Sequence, residues 1–473
     1  MSDRDEESET RDDGLTDDPE LSDDALFQAD ADRVYAELLA RVGEAEPRPR
    51  LAPTRRVVEL LGDPQRSYPI IHITGTNGKT STSRIIESIL RAYGLRTGLM
   101  TSPHLVRVNE RIVIDGEPIS NEAFVANWRD ISPYLELVDA ELEKVGEGSL
   151  TFFEALTALS FASFADAPVD VAVVEVGMGG EWDSTNVGDG QVAVFTPISL
   201  DHTARLGNTV REIARTKSGI IKPLARVVMA TQTPDAREEL QRAAELTESS
   251  VAAQGTDFTL DSNTVAIGGQ VITVQGRAGR YADLFLPLFG DHQAQNAAVA
   301  IAAVESFLGD GAQMLIGDLL AEGLATVTSP GRMQIVGIEP TVLVDAAHNP
   351  DGAAATAAAI RGFFTFEEVC VVLGVLDEKD ALGIIRALSP IASRVHVTRS
   401  VSPRAIEPDA LADIVEQVLG DAAVLRFDDA AEAMRSAREW AGEGPARAVL
   451  VTGSITLVGE AISLAEAEGW KSA

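Results

Sequence analysis

Residues 70–90, IIHITGTNGKTSTSRIIESIL, constrain the fold more than any other stretch of the chain. An apolar strand runs into Gly75, Gly78, Lys79, Thr80 and Ser81 and then into an amphipathic helix. Glycines let the backbone turn its N–H groups toward phosphate oxygens. The helix N-terminus adds positive potential, and Lys79 supplies a mobile cation. Such a unit reads as a phosphate cradle. It departs from the ordinary G-x-x-x-x-G-K-[ST] pattern, because Ile73 stands where the first glycine would fall.

Around this unit, short β-branched runs alternate with alanine-rich helical patterns, as in βαβ units of a parallel sheet covered on both faces. The expected strands are 68–73, 97–101, 170–176, 191–196 and 226–230. Residues 251–287 alternate at period two between glycine-rich turns and predict a small antiparallel insertion. A helix over about 292–307 is followed by the SPGR turn at 329–332, which opens a second α/β series with strands at 341–345, 368–374, 394–398 and 446–452. The expected division is therefore an acidic disordered tail over 1–31, a nucleotide-binding domain over 32–327 and an α/β domain over 328–473.

Charge and cysteine use narrow the partners. The net charge is −34; the first 30 residues carry 13 Asp or Glu against two Arg, and the rest still bears −23. That field disfavours nucleic acid and anionic membranes, so small molecules are the expected partners. A single cysteine, Cys370, makes no internal disulfide. No apolar run approaches the length of a membrane span, and the N-terminus lacks a signal-peptide layout, which together point to the cytoplasm. Lysine is scarce, six against 33 Arg, which fits a halophilic or GC-rich host.

Several further segments sit at expected strand ends, where open α/β sheets bind ligands. Glu175, before Gly177, Gly179 and Gly180, is placed to hold Mg²⁺ beside phosphates or is a strand-end surface acid. Asp201 and His202 follow the next strand; a lone histidine is more often structural, but adjacent strand ends point at one crevice. In TSPHL, Ser102 offers a hydroxyl to Mg²⁺, or the segment is a rigid proline turn. Lys217 and Lys222 lie on a helix and its exit, where ordinary lysines are solvated. In LVDAAHNPDG, Asp345 is suited to ribose hydroxyls and His348 to a phosphate, with an Asp turn and helix cap as the competing reading. GVLDEKD (374–380) and PRAI (403–406) are polar segments after later strands, each weak by itself.

Taken in order, ITGTNGKTS, TSPHL with ERI, TFFEALT, HQAQN, PGR and DAAHNP resemble the Mur ligase superfamily, specifically its folylpolyglutamate and dihydrofolate synthase branch. The resemblance runs from about residue 32 to the end, interrupted by the insertion. It implies an α/β, two-domain Mur-ligase-like fold, with an N-terminal P-loop ATPase-type domain and a C-terminal Rossmann-like one. It implies ATP bound at Thr76, Asn77, Gly78, Lys79, Thr80 and Ser81, with Asn296, Arg332 and Asp345 as further nucleotide contacts. Ser102, Glu175, His202 and Lys217 would serve two Mg²⁺ ions, Lys217 as a carbamylated lysine. Lys79, Lys217 and His348 would be catalytic. Thr151, Phe152, Phe153 and Glu154, with Trp182, Asp183 and Ser184, resemble stretches that receive the pteroate part of a folate. Arg211 and Arg215 are expected to disfavour the Lys217 ammonium. Three positions depart from the branch: Thr80 and Ala346 for glycine, and Glu181 for arginine.

The implied reaction is ATP-dependent addition of L-glutamate to a folate or dihydropteroate through an acyl phosphate, by a cytoplasmic monomer. A cell-wall ligase acting on UDP-muramyl peptides, favoured by the GKTS ending, and a nucleotide-binding regulatory module are the alternatives.

Overall fold

A computed structural model describes residues 23–43, 48–420 and 423–471. The first sheet takes β1 (Ile70–Thr74), β2 (Thr97–Met100), β3 (Ile112–Ile114), β4 (Glu117–Pro118), β5 (Val171–Glu175), β6 (Gly190–Phe195), β7 (Arg226–Met229) and β8 (Ser250–Ala253). Their order is β4-β3-β2-β5-β1-β6-β7-β8, parallel from β2 through β8, with β3 and β4 antiparallel at one edge. Ile71 lies opposite Val173 on one side and Val192 on the other. All five residues of β1 and of β5 are buried, as expected where helices cover both faces of a parallel sheet. The helices Lys79–Ala92 and Asp291–Gly309 pack over one face, adding Ile85, Ile86, Ile89 and an alanine-rich surface to the core.

A separate antiparallel sheet, β9 (Thr259–Ala266), β10 (Gly269–Gln275) and β11 (Arg280–Leu286), comes next in the chain. The insertion expected over 251–287 therefore starts late: β8 pairs parallel with β7 and belongs to the first sheet. SVAA is too short for its own alternation to distinguish an edge strand from an insertion strand.

The last six strands form the second sheet: β12 (Gln334–Gly337), β13 (Thr341–Asp345), β14 (Glu368–Leu373), β15 (Ala392–Val397), β16 (Val424–Arg426) and β17 (Arg447–Thr452). Their order is β12-β13-β17-β14-β15-β16, all parallel except β12. Because β17 returns between β13 and β14, the strand order reverses there, leaving a crevice at the carboxyl ends.

The acidic stretch read as a tail to residue 31 already contains helices at Asp23–Leu26 and Gln28–Leu39. Ala31, Val34 and Leu38 make an apolar stripe that is buried against Phe124, Trp128 and Leu135. The rest of that tail, residues 1–22, lies outside the described residues. No helix among the described residues is long and apolar enough to cross a membrane.

Candidate active site

β1 delivers the cradle to the carboxyl edge of the first sheet. Gly75 and Gly78 are there for space: a Cβ on Gly75 would meet Thr196 Oγ1 at 1.9 Å, and one on Gly78, whose φ is +87°, would meet Asn296 Oδ1 at 2.6 Å. Thr76 Oγ1 donates to the carbonyl of Ser199 at 3.1 Å and accepts the Ser199 amide at 3.0 Å, pinning the cradle to the loop after β6. Lys79 Nζ donates to the carbonyls of Gly75 and Thr76, both at 3.1 Å. Burial lowers the Lys79 pKa, as do Arg332 and Lys379, while Glu175 and Asp201 oppose. Ser81 is turned elsewhere: its hydroxyl meets Ser329 at 3.1 Å and accepts from Gln293 at 3.2 Å, tying the cradle helix to the SPGR turn and to the helix Asp291–Gly309. Asn296 lies on that same Asp291–Gly309 helix and donates to Gln293 Oε1 at 3.2 Å.

Two groupings flank Lys79. In the first, Glu175 is 1% exposed and accepts from Thr80 Oγ1 at 3.0 and 3.1 Å and from the Ser102 amide. Burial raises its pKa, against the pull of Lys79 and the Thr80 hydroxyl. Thr80, a departure from the glycine of the branch, thus acts directly on a proposed metal ligand. In the second, Asp201 faces His202, His348 and Lys379. His348 Nε2 and His202 Nε2 each lie 3.7 Å from Asp201 Oδ2, and Lys379 Nζ donates to Oδ1 at 2.8 Å. Burial works against the Asp201 carboxylate, but His348, His202 and Lys379 outweigh it and hold its pKa well below the usual range. Burial pushes His202 down to about 3, with Asp201 opposing.

Lys217 is 4% exposed and donates to the carbonyl of Gly75 at 2.8 Å. Burial pushes its pKa down to about 7, helped by Lys79 and opposed by Asp201 and Asp183. The two arginines expected to cause this shift do not: Arg211 is paired with Asp235 and Glu238, and Arg215 with Glu239, on the outer face of the helix. A helical turn displays successive residues on different faces, and neighbours in sequence are not neighbours in space.

The second domain closes over these groups. Asn77 and Asn349 exchange side-chain hydrogen bonds at 3.0 and 3.4 Å across the seam. Arg332 donates to its neighbour Gly331 at 3.2 Å and lies close enough to influence both Lys79 and Glu175. Asp345 commits both oxygens inside its own domain, accepting from the amides of Met333 and Ala347 and from Thr356 Oγ1. His348 Nδ1 contacts the Ala346 carbonyl at 3.0 Å, which leaves Nε2 facing Asp201.

The two stretches expected to receive the pteroate come together, with Phe153 lying against Gly177 in the loop that leads to Trp182. Within them, Thr151 and Glu154 form a capping box for the helix Phe152–Asp166, and Arg50 grips Glu154 with two bonds of 2.9 Å. Phe152 is buried under Arg111, whose guanidinium lies 5.1 Å from the ring centre. Asp183 is buried and accepts from Met178 and Thr185; Ser184 is also buried. Among the aromatic residues of these stretches, Phe152 is buried, Phe153 is half-buried and Trp182 is 49% exposed. Glu181, another of the three departures, packs its backbone against Gly219.

Sequence reasoning singled out GVLDEKD only as a weak polar segment and did not pick Lys379 within it. The signal was composition: a chain with six lysines that uses Arg for its surface cations places Lys79, Lys217 and Lys379 at one crevice. It also missed Thr398, Ser400 and Ser454, buried hydroxyls without hydrogen-bond partners after β15 and β17.

The chain matches two family models, the Mur ligase middle domain over residues 73–304 and the Mur ligase, glutamate ligase domain over 331–455. It is 44% identical over 441 residues to a dihydrofolate synthase/folylpolyglutamate synthase of Mycobacterium tuberculosis, covering 88% of this chain and 90% of that one. The solved structure of the M. tuberculosis folylpolyglutamate synthase complexed with ADP superposes with a TM-score of 0.89 at 42% identity, covering 93% of this chain and 99% of the other. A solved FPGS–AMPPCP–folate complex is similar at 31% identity and a TM-score of 0.78, over 92% and 99% of the two chains.

Proposed function

The chain belongs to the folylpolyglutamate and dihydrofolate synthase branch of the Mur ligase family, an ATP-dependent ligase that adds L-glutamate to a folate, and on that premise we propose how its residues divide the work. The observation that carries the assignment is the convergence of Lys79, Glu175 and Asp201 from the first sheet with Arg332, His348 and Lys379 from the second. The cradle amides and Lys79 hold the ATP phosphates. Asn296 stands beside the cradle, Arg332 approaches from the second domain, and Asp345, with both oxygens engaged there, braces the turn after β13. The folate carboxylate attacks the γ-phosphorus, ADP leaves, and the resulting acyl phosphate is attacked by the amine of L-glutamate, releasing phosphate. Phosphoryl transfer asks mainly for positioning and charge stabilisation, which the clustered cations provide.

Glu175, Ser102 and Thr80 fit Mg²⁺, which takes one or two carboxylates and completes its shell with phosphate oxygens and water. The raised Glu175 pKa marks a buried acid whose charge is under-compensated by protein alone. A cation held there would spread the negative charge of the phosphate oxygens. Around the second grouping, His202 and a carbamylated Lys217 would serve a second ion. The lowered Lys217 pKa supports this, because only the neutral amine takes up CO₂. Phe153 and Trp182 receive the aromatic part of the folate, held in place by Thr151, Phe152, Glu154, Asp183 and Ser184. L-Glutamate sits at the carboxyl edge of the second sheet, where Thr398, Ser400 and Ser454 have hydroxyls to give.

Both dihydropteroate and reduced folates serve as acceptors in this reading, which is in keeping with the two activities in the name of the M. tuberculosis relative, dihydrofolate synthase/folylpolyglutamate synthase. We read the protein as a monomer, and ATP and glutamate as substrates support the cytoplasm. The test is ADP release by the purified protein. Folate or dihydropteroate with glutamate should trigger it, whereas a UDP-muramyl peptide with an amino acid should not. Release on the muramyl substrate, or with ATP alone, would overturn the reading.

A further inference from the structure

The seam between the two sheets is crossed by an ion pair that no motif announces, Lys379 Nζ to Asp201 Oδ1 at 2.8 Å. Its side chains are 8% and 11% exposed. An enclosed pair differs from a surface pair in that removing one partner strands the other charge away from water. Lys379 is firmly presented. Its amide donates to the Leu376 carbonyl at 3.0 Å, the Asp377 amide donates to the Arg404 carbonyl at 2.9 Å, and Asp380 caps the helix Ala381–Leu388 through Gly383 at 2.8 Å.

On the other side, Asp201 Oδ1 also accepts the amide of His202 at 2.8 Å. His202 has φ +50°, the left-handed region that costs a non-glycine residue energy and persists only where surroundings impose it. The same carboxylate therefore holds the backbone of a proposed metal ligand and a lysine that belongs to the other domain. His348 Nε2 stands farther from the carboxylate, 3.7 Å from Oδ2, than the lysine does.

We propose that Lys379 is a positioning residue that couples domain closure to the site: by pairing with Asp201 it sets the 199–202 loop, so that His202 is placed only when the second domain is seated. ATP held by the first domain alone then meets an incomplete site, which limits its transfer to water before the acceptors are enclosed. The proposal rests on the reading of His202 as a ligand in the ATP site.

The test compares Lys379→Met, Asp201→Asn, their double variant and Lys379→Arg in the full chain. Three quantities are read: kcat with folate and glutamate, the Mg²⁺ concentration for half-maximal AMPPCP binding, and the radius of gyration with AMPPCP by small-angle scattering. Each neutralising single change should lower kcat about 30-fold, raise the Mg²⁺ requirement about threefold and enlarge the radius. The double variant should do no worse than the more damaged single, because one interaction is lost once. Lys379→Arg, which keeps the cation, should stay within about threefold of the parent. Multiplicative losses in the double variant, or a lower kcat with Mg²⁺ requirement and radius unchanged, would overturn the proposal. If the parent protein releases no ADP with folate, the functional reading fails, while the Mg²⁺ titration and scattering still decide the coupling.

Discussion

At the scale of single residues, the site is a set of charges forced into a place where charge is costly. Lys217 carries the clearest consequence. An ordinary lysine titrates near 10.4 and is protonated at neutral pH, but burial brings this one to about 7. The neutral fraction therefore rises steeply between about pH 6 and about pH 8. At fixed dissolved CO₂, the activity restored to decarbonated enzyme should rise across that interval, and a flat response would leave Lys217 an unmodified amine. Lys217→Ala should lose most activity and regain part of it when a short carboxylic acid is supplied. Lys79 calls for a different test, because its ammonium bonds only to backbone carbonyls of the cradle and supports no core side chain. Lys79→Ala should lower ADP formation by about 100-fold or more while the thermal transition stays in place. Loss of the folded state would show that the lysine holds the loop. Most of these residues were legible because their chemistry demands a recognisable neighbourhood: glycines beside a lysine, an acid at a strand end. Lys379 was not, since its partner lies 178 positions away and nothing local marks it.

At the scale of elements, buried strands were readable and edges were not. β1, β5, β6, β14 and β17 are continuous apolar runs bounded by glycine or polar turns. β3, β4, β8, β12 and β16 hold two to four residues each, too few for a period to register. The same limit explains why the stretch at 151–154 was read only for ligand binding. T-x-x-E before an apolar run is also a helix start, and here the capping box forms, with Arg50 clamping the acid. Thr151→Val and Glu154→Gln should accordingly lower stability by about 1–2 kcal/mol in denaturant unfolding. Trp182→Ala, by contrast, should raise the KM for folate with the unfolding curve unchanged, because half of that ring already faces solvent. A stable Glu154→Gln variant with a raised folate KM would return that residue to the binding surface.

At the scale of the whole molecule, a net charge of −34 surrounds a site that gathers cations for anionic substrates. The two facts are compatible because the cations are enclosed between sheets, where ions in solution screen them little, while the excess acid lies on the surface. Surface ion pairs such as Arg56 with Glu141 are present, but each contributes little and salt weakens it. What salt weakens more is the repulsion among carboxylates that have no cation to meet, since acids outnumber bases by 73 to 39. Folding brings those charges together, so the compact state carries the larger penalty and gains more from screening. Raising KCl from about 0.1 M to about 1 M shortens the screening length from about 10 Å to about 3 Å. The thermal transition should then move up by about 3 °C or more. Chloride is the right anion for the measurement, because sulfate would strengthen apolar burial and give the same sign for another reason. A transition that stays level or falls across this range would mean that the ion pairs, rather than the unpaired acids, dominate the electrostatic free energy of the fold.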